Sequence, residues 1–252
     1  MLYSLFFERN GGITIHYAII LAGGIGQRVG AGIPKQFIPV LGKPIMIYTL
    51  ETFQKCALID EIVLVCVQSH MEQAKAYCRQ YGIDKITAFV EGGADFVHSC
   101  MNGMNYLKDK APKGAISIVS SADRPFMSEE ELKDSIETCK KHGSGVAARP
   151  CSLCMFRVEK NQNHSAAYMR DELVQTATPW TFDYHRLQDA LDRYEQGEFP
   201  GCEAYPIAIY AAAGNEIYFS KAKAKNIKIT EKHDVALMEH MLLAEREVAD
   251  HE

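Results

Sequence analysis

The chain has no excess of positive charge. Its 252 residues carry 27 Lys and Arg against 32 Asp and Glu, a formal net charge of −5. That balance disfavours a nucleic-acid binder working through bulk charge, although it leaves room for a local basic site. No apolar run approaches the roughly 18 residues that a membrane span requires. The apolar opening, residues 1–7, lacks a basic start and runs into Glu8-Arg9 with no small-residue cleavage site, so it does not read as a secretory leader. Together these absences point to a cytoplasmic protein. Internal repeats, low-complexity stretches and long linkers are also missing, so residues 1–252 read as one domain with residues 1–12 as an N-terminal extension. The eight cysteines are scattered, and the one close pair, Cys151 and Cys154, has no second pair or spaced histidine pair to complete a metal site. They read as small buried hydrophobes in a reducing compartment.

What is present is the composition of an ordinary folded protein, 47% hydrophobic and 23% charged. A chain of this length buries about 70–75% of its unfolded surface and needs no disulfide or metal staple. Strand-like and helix-like segments alternate. Residues 13–22 form an apolar, β-branched run that ends in glycines, and residues 44–56 read as a helix with Pro at its favoured first position. Strands are expected at 61–67, 86–90, 115–120 and 145–148, and helices at 70–81 and 97–107. Ser128-Glu-Glu-Glu131 is a capping box opening a helix to about His142, with Gly143 as its stop. Such alternation implies parallel βαβ units in a doubly wound sheet, whose ligands bind beyond the carboxyl ends of the strands. Between residues 150 and 171 the rhythm breaks, and a polar-tipped stretch reads as a protruding hairpin arm. Helices near 184–194, 206–213 and 235–248 and strands at 216–219 and 226–230 complete the pattern.

The most informative segment follows the first strand: Leu21-Ala-Gly-Gly-Ile-Gly-Gln-Arg-Val-Gly-Ala-Gly-Ile-Pro-Lys-Gln-Phe37. Backbone N–H groups of a glycine-rich turn there can wrap an anion. Gly23, Gly24 and Gly26 allow close approach of a phosphate chain, and Arg28 and Lys35 supply fixed positive charge. Two common glycine motifs are excluded. The dinucleotide fingerprint would place a Gly at position 29, which is Val, and the P-loop would end in Gly-Lys-Ser/Thr where this loop ends Pro34-Lys35-Gln36.

These residues, with Pro34-Lys35-Gln36-Phe37, resemble the cytidylyltransferases that act on methylerythritol phosphate and ribitol 5-phosphate. Further blocks in the same order strengthen the resemblance: Glu91-Gly-Gly-Ala-Asp95 with Ser99, Ala122-Asp-Arg-Pro-Phe126, Arg170-Asp-Glu-Leu173 with Thr178-Pro179 and Phe182, and Asn226-Ile-Lys-Ile-Thr230. The wording Leu-Ala-Gly-Gly and Gly-Gly-Ala-Asp leans toward the ribitol phosphate branch. The resemblance implies a mostly parallel, Rossmann-like nucleotidyltransferase sheet of the α/β class and a homodimer in which the arm, residues 150–171, crosses to the neighbour. It implies transfer of CMP from CTP to a phosphorylated sugar alcohol, with Mg²⁺ as cofactor and no nucleic-acid or membrane partner.

By the same resemblance, Ala22, Gly23, Gly24, Gly26, Gly93, Ala94 and Ser99 bind the nucleotide, Arg28 and Lys35 stabilise charge on the α-phosphate, and Arg170 and Lys228 hold the acceptor's phosphate. Three departures qualify it. The family's His-Asp is Ser120-Ser121, removing the carboxylate that helps hold Mg²⁺. The Arg after Gly-Gly-Ala-Asp is Phe96. An acceptor-contacting Thr aligns with Cys154, and an acidic pair with Tyr205-Pro206. Strand alternation offers Asp123, two residues beyond Ser121, as a substitute metal ligand; pairing with Arg124 or capping the next helix are its other readings. An active transferase with ribitol 5-phosphate or methylerythritol phosphate as acceptor, and a nucleotide-binding paralogue with reduced or no catalysis, both stay open.

Overall fold

The computed structural model describes residues 14–24, 33–158 and 168–249. Strands β1 (His16–Ala22), β2 (Pro39–Val40), β3 (Lys43–Pro44), β4 (Glu61–Cys66), β5 (Ile86–Glu91), β6 (Ile116–Ser121), β7 (Ser144–Pro150), β8 (Val174–Asp183) and β9 (Phe219–Lys221) alternate with helices. These are α1 (Ile45–Lys55), α2 (Met71–Gln80), α3 (Phe96–Tyr106), α4 (Glu129–His142), α5 (Tyr184–Glu195), α6 (Pro206–Ala212) and α7 (Lys232–Ala249). The main sheet has the order β5-β4-β1-β6-β8-β7-β9, with β2 and β3 paired as a small ribbon of their own. β8 runs antiparallel to β6 and β7, and the other pairings of the main sheet are parallel.

The pleat explains the two helical layers. Along β1, Ala18, Ile20 and Ala22 face one core with Leu50 and Phe53 of α1, Ala74 of α2 and Ile136 of α4. Tyr17, Ile19 and Leu21 face the other, with Met104 of α3, Leu191 of α5 and Ile209 of α6. A strand covered on both faces reads as a continuous apolar run, as 16–22 does. Truncating Ile20, which is fully buried, to Ala would cost about 2–5 kcal/mol. α3 approaches the sheet through Gly103, where a Cβ would lie 2.6 Å from the Ile19 side chain. α4 has the expected capping box, with Glu131 N–H donating to Ser128 and Ser128 N–H donating to Glu131, and Gly143 at φ 91° closes it.

Three expectations are corrected. Sequence reasoning placed no strand at 174–183, yet β8 is central to the second half of the sheet. Pro179, which has no N–H to donate, interrupts its strand signature and lies where the β7–β8 register shifts. Conversely, 226–230 is not a strand. Its backbone groups are taken by side chains and by the end of β6: Arg124 donates to Asn226 O, Lys35 to Ile229 O, and Ile229 N–H to Asp123 O. The segment is a strap held across the sheet rather than a member of it. The strand expected at 216–219 is displaced to Phe219–Lys221. The described parts of the arm run side by side, with Tyr168 N–H donating to Met155 O at 3.0 Å.

Candidate active site

The parallel strands β5, β4, β1 and β6 release their chains at one edge of the sheet, and a cleft of about 530 Å³ opens there. Its two ends are built differently. At the first, the turns after β1 and β5 meet: Gly23 and Gly92 approach so closely that a Cβ on Gly92 would lie 3.6 Å from Gly23 Cα. Gly93 sits over the start of α3, where a Cβ would fall 2.5 Å from His98 Cβ. Its N–H donates to Ser99 Oγ at 3.0 Å. Asp95 caps α3 by accepting the His98 N–H at 2.9 Å, and its carboxyl is held below the usual carboxylate range because the His98 hydrogen bonds outweigh the effect of burial. The Asp of Gly-Gly-Ala-Asp thus has a local structural reason, a helix N-cap. Ala22, Gly23, Gly24, Gly93, Ala94 and Ser99 all line this cleft.

The second end is built from side chains. The short 3₁₀ turn Lys35–Phe37 is buried throughout. Gln36 donates to Ala22 O, anchoring the turn to the end of β1, and Phe37 stacks on His70 at 5.2 Å. Lys35 Nζ donates to Ile229 O at 2.7 Å and pairs with Asp123 Oδ2 at 2.6 Å. Burial pushes the Asp123 carboxyl up, but the ammonium groups of Lys228 and Lys35 outweigh it and hold the group below the ordinary carboxylate range. Asp123 is therefore neither an ion-pair partner of Arg124 nor a helix cap; it pairs with Lys35. Ser121 and Asp123 line the same cleft, but so does Ala122 between them: β6 ends at Ser121, and the turn after it rather than strand alternation brings Asp123 there. Ser120 instead hydrogen-bonds Thr178 on β8, Oγ to Oγ1, at 2.8 Å.

Lys228 projects from the strap into this end, its Nζ 5.5 Å from the centre of the Phe96 ring. Phe96 also meets Trp180 edge-on at 5.8 Å and Tyr205 at 5.7 Å. Positions that sequence comparison marked as departures, 96 and 205, thus share one aromatic wall with Trp180. The structure brings Lys35, Asp123 and Lys228 together and does not bring Arg170 to them: Arg170 is exposed on a 3₁₀ turn at the base of the arm. Cys154 is exposed and also lies apart from the cleft. Gly26 and Arg28 lie outside the described residues. Two cleft residues carry no functional signal in the sequence, Gln36, which anchors the turn to Ala22 O, and Tyr205 of the aromatic wall, because their convergence depends on the fold.

Asp123 Oδ1 is buried and has no hydrogen-bond partner among the described residues, a spare carboxylate oxygen of the kind a hard divalent cation takes. No group of three or more metal-ligating side chains occurs among the described residues. The fit is thus one carboxylate oxygen, with the remaining positions left to substrate oxygens.

The IspD family model, described as 2-C-methyl-D-erythritol 4-phosphate cytidylyltransferase, matches residues 16–244. The ribitol-5-phosphate cytidylyltransferase of Lacticaseibacillus paracasei is 35% identical over 226 residues, covering 89% of this chain and 97% of the relative. The 2-C-methyl-D-erythritol 4-phosphate cytidylyltransferase of Clostridium kluyveri is 30% identical over 235 residues, covering 90% and 96%. Among solved structures, the 4-diphosphocytidyl-2C-methyl-D-erythritol synthase of Anaerococcus prevotii superposes with a TM-score of 0.78 at 22% identity, covering 91% of this chain and 96% of that one. The Francisella tularensis 2-C-methyl-D-erythritol 4-phosphate cytidylyltransferase gives 0.74 at 26% identity, covering 89% and 98%. With a family model matched over most of its length and relatives at 30–35% identity over about nine-tenths of it, the chain belongs to the IspD cytidylyltransferase family.

Proposed function

We propose that this protein transfers CMP from CTP to a small polyol phosphate resembling ribitol 5-phosphate and releases pyrophosphate. The observation that carries this reading is the division of one cleft into a backbone-built end and a cationic end. Main-chain groups around Gly93 and the Ser99 hydroxyl suit a pyrimidine edge, and Lys35 and Lys228 suit the phosphates. In the reaction, an oxygen of the acceptor's phosphate bonds to the α-phosphorus of CTP, and the bond from that phosphorus to the bridging oxygen breaks, the electron pair leaving with pyrophosphate. Positioning and neutralisation of charge carry most of such a displacement. Lys35, held by Ile229 O and Asp123, keeps a third N–H to direct at charge developing on the α-phosphate. Lys228 bridges toward the acceptor side. Asp123 Oδ1 would hold Mg²⁺ together with triphosphate oxygens, and the ion would supply further charge neutralisation there.

The relative at 35% identity favours ribitol 5-phosphate as acceptor, and the relatives at 30% keep methylerythritol phosphate as the second reading. Ser121 is the observation that favours a third, a paralogue of low activity. Pyrophosphate release from CTP against a panel of alditol and methylerythritol phosphates ranks the acceptors; equal, background-level release with every acceptor would support the third reading and defeat the first two.

The assembly we propose is a homodimer in the cytoplasm, with the arm of one chain carrying Arg170 to the other's acceptor side. Large apolar side chains on the arm are exposed, Leu153 at 60%, Phe156 at 59% and Met169 at 66% among them, and a clustered apolar surface of that kind marks an interface. Light scattering should report twice the 28.2 kDa chain mass; a single-chain mass at working concentration would reject the dimer. No helix among the described residues is long and apolar enough to cross a membrane.

A further inference from the structure

Behind Lys228 lies a second cavity, of about 300 Å³, which Arg124, Arg149, Gln175, Lys223 and Asn226 also line. Its two guanidinium groups are fixed by neutral acceptors. Arg124 donates to Asn226 O at 3.0 Å and Asn226 Oδ1 at 3.3 Å. Arg149 donates to Gln175 Oε1 at 3.0 Å and Ala224 O at 3.1 Å. The carboxylates that act on Arg124, Asp123 and Glu131, are engaged elsewhere: Asp123 with Lys35, and Glu131 with the N–H groups of Ser128 and Lys223 and the Asn226 amide. Lys223 pairs with Glu130. Arg124 Nε is buried and lacks a hydrogen-bond partner among the described residues. Burial disfavours the charge on Arg124 more than Asp123 and Glu131 favour it, and the neighbouring Arg149 adds to the penalty, so two guanidinium groups lining one cavity favour entry of an anion.

We propose that Arg124 and Arg149 form a phosphate subsite behind Lys228, with Arg149, on β7, as its specificity-determining residue. Guanidinium forks match a phosphate's oxygens in pairs, which a lysine's point charge does not. Because Lys228 lines both cavities, a phosphate monoester there lies on the acceptor side of the cleft. Its source is either the acceptor's own phosphate or free phosphate acting as a separate ligand. Assignment to the acceptor rests on the cytidylyltransferase reading; the phosphate subsite itself does not.

The test uses the full chain, saturated with a non-hydrolysable CTP analogue so that the glycine loop is occupied, and titrated calorimetrically with inorganic phosphate. Arg149→Gln should weaken phosphate binding roughly tenfold to a hundredfold, the scale of one hydrogen bond to a charged group. Lys55→Gln, which removes the same charge from α1, should leave it within about twofold, since an exposed distant charge is screened. Arg149→Lys, keeping the charge and losing the fork, should fall between wild type and Arg149→Gln, and thermal unfolding checks that each variant folds. Phosphate binding unchanged in Arg149→Gln, or no saturable binding to the wild type, would overturn the proposal. Where turnover is measurable, competition of phosphate against the acceptor identifies the acceptor's phosphate as the occupant, and non-competitive behaviour identifies free phosphate. Binding lost in Arg149→Gln would sustain the subsite even if no acceptor turned over.

Discussion

The two ends of the cleft contrast in what they are made of. The end around Gly23, Gly92 and Gly93 is backbone brought together by turns, with Ser99 as its one hydroxyl. The end around Lys35, Asp123 and Lys228 is made of side chains from three distant parts of the chain, the Lys35–Ile229 contact alone spanning 194 positions. Backbone geometry is indifferent to most substitutions and intolerant of a few, as the close approaches at Gly92 and Gly93 require. Side-chain constellations can be exchanged in concert. The opposite end holds the positions at which the resemblance expects other residues: Phe96 and Tyr205 join Trp180 in an aromatic wall, and Asp123 stands in the cleft beside Ser121.

The largest expected effect lies at the side-chain end. Lys35→Ala should lower kcat by roughly 10² or more, the scale of losing one preorganised charge-stabilising donor. It also removes the ion-pair partner of buried Asp123, leaving only the Lys228 charge nearby, and should cost up to about 3–5 kcal/mol of stability. Adding Asp123→Ala should restore the melting temperature but not kcat. If the double variant recovers turnover, Lys35 acts only through its ion pair.

At the backbone end, Gly93→Ala forces a Cβ against His98 and should cost about 1–3 kcal/mol, the range for overpacking, together with a raised KM for CTP. Calorimetric melting and initial rates would check both. A fully stable variant with wild-type KM would show that the loop yields more readily than its contacts allow.

Metal dependence should move less. Asp123→Asn should raise the Mg²⁺ concentration for half-maximal rate severalfold, and Ser121→Asp should lower it; an unchanged titration in Asp123→Asn removes Asp123 from the metal site. Because the folded-state pKa of Asp123 is depressed, its stabilising contribution is complete above its unfolded pKa of about 3.9 and is lost as pH falls through the folded value. Wild type and Asp123→Ala should therefore differ in stability at neutral pH and converge on strong acidification.

Smallest is the effect on thiol labelling. Burial pushes Cys66 up to about 11 and Cys78 to about 12, so at pH 8 exposed Cys154 should react first with a thiol reagent and these two last; mass spectrometry of the labelled peptides reads the order.

Legibility in the sequence followed the same division. Each element of the parallel half announced itself, because a strand buried on both faces must be a continuous apolar run and a capped helix carries its own punctuation, as Ser128 and Glu131 do. The backbone end of the cleft was legible because glycine is required where main chain must approach main chain. β8 was hidden by Pro179, and the strap at 226–230 passed for a strand because its apolar alternation serves docking on Asp123 and α7 rather than a ladder. Arg149 gave no signal at all, since a single arginine on a strand acquires meaning only when Arg124 and Lys228 arrive from elsewhere.

The backbone end should still select cytidine while the altered end still performs transfer. Pyrophosphate release should be followed with CTP, UTP and ATP in turn, each with and without ribitol 5-phosphate, with Lys35→Ala as the blank. Release should require CTP and the acceptor together and fall to near the blank with UTP or ATP. Release that ignores the identity of the base, or none above the Lys35→Ala blank with any acceptor, would contradict it.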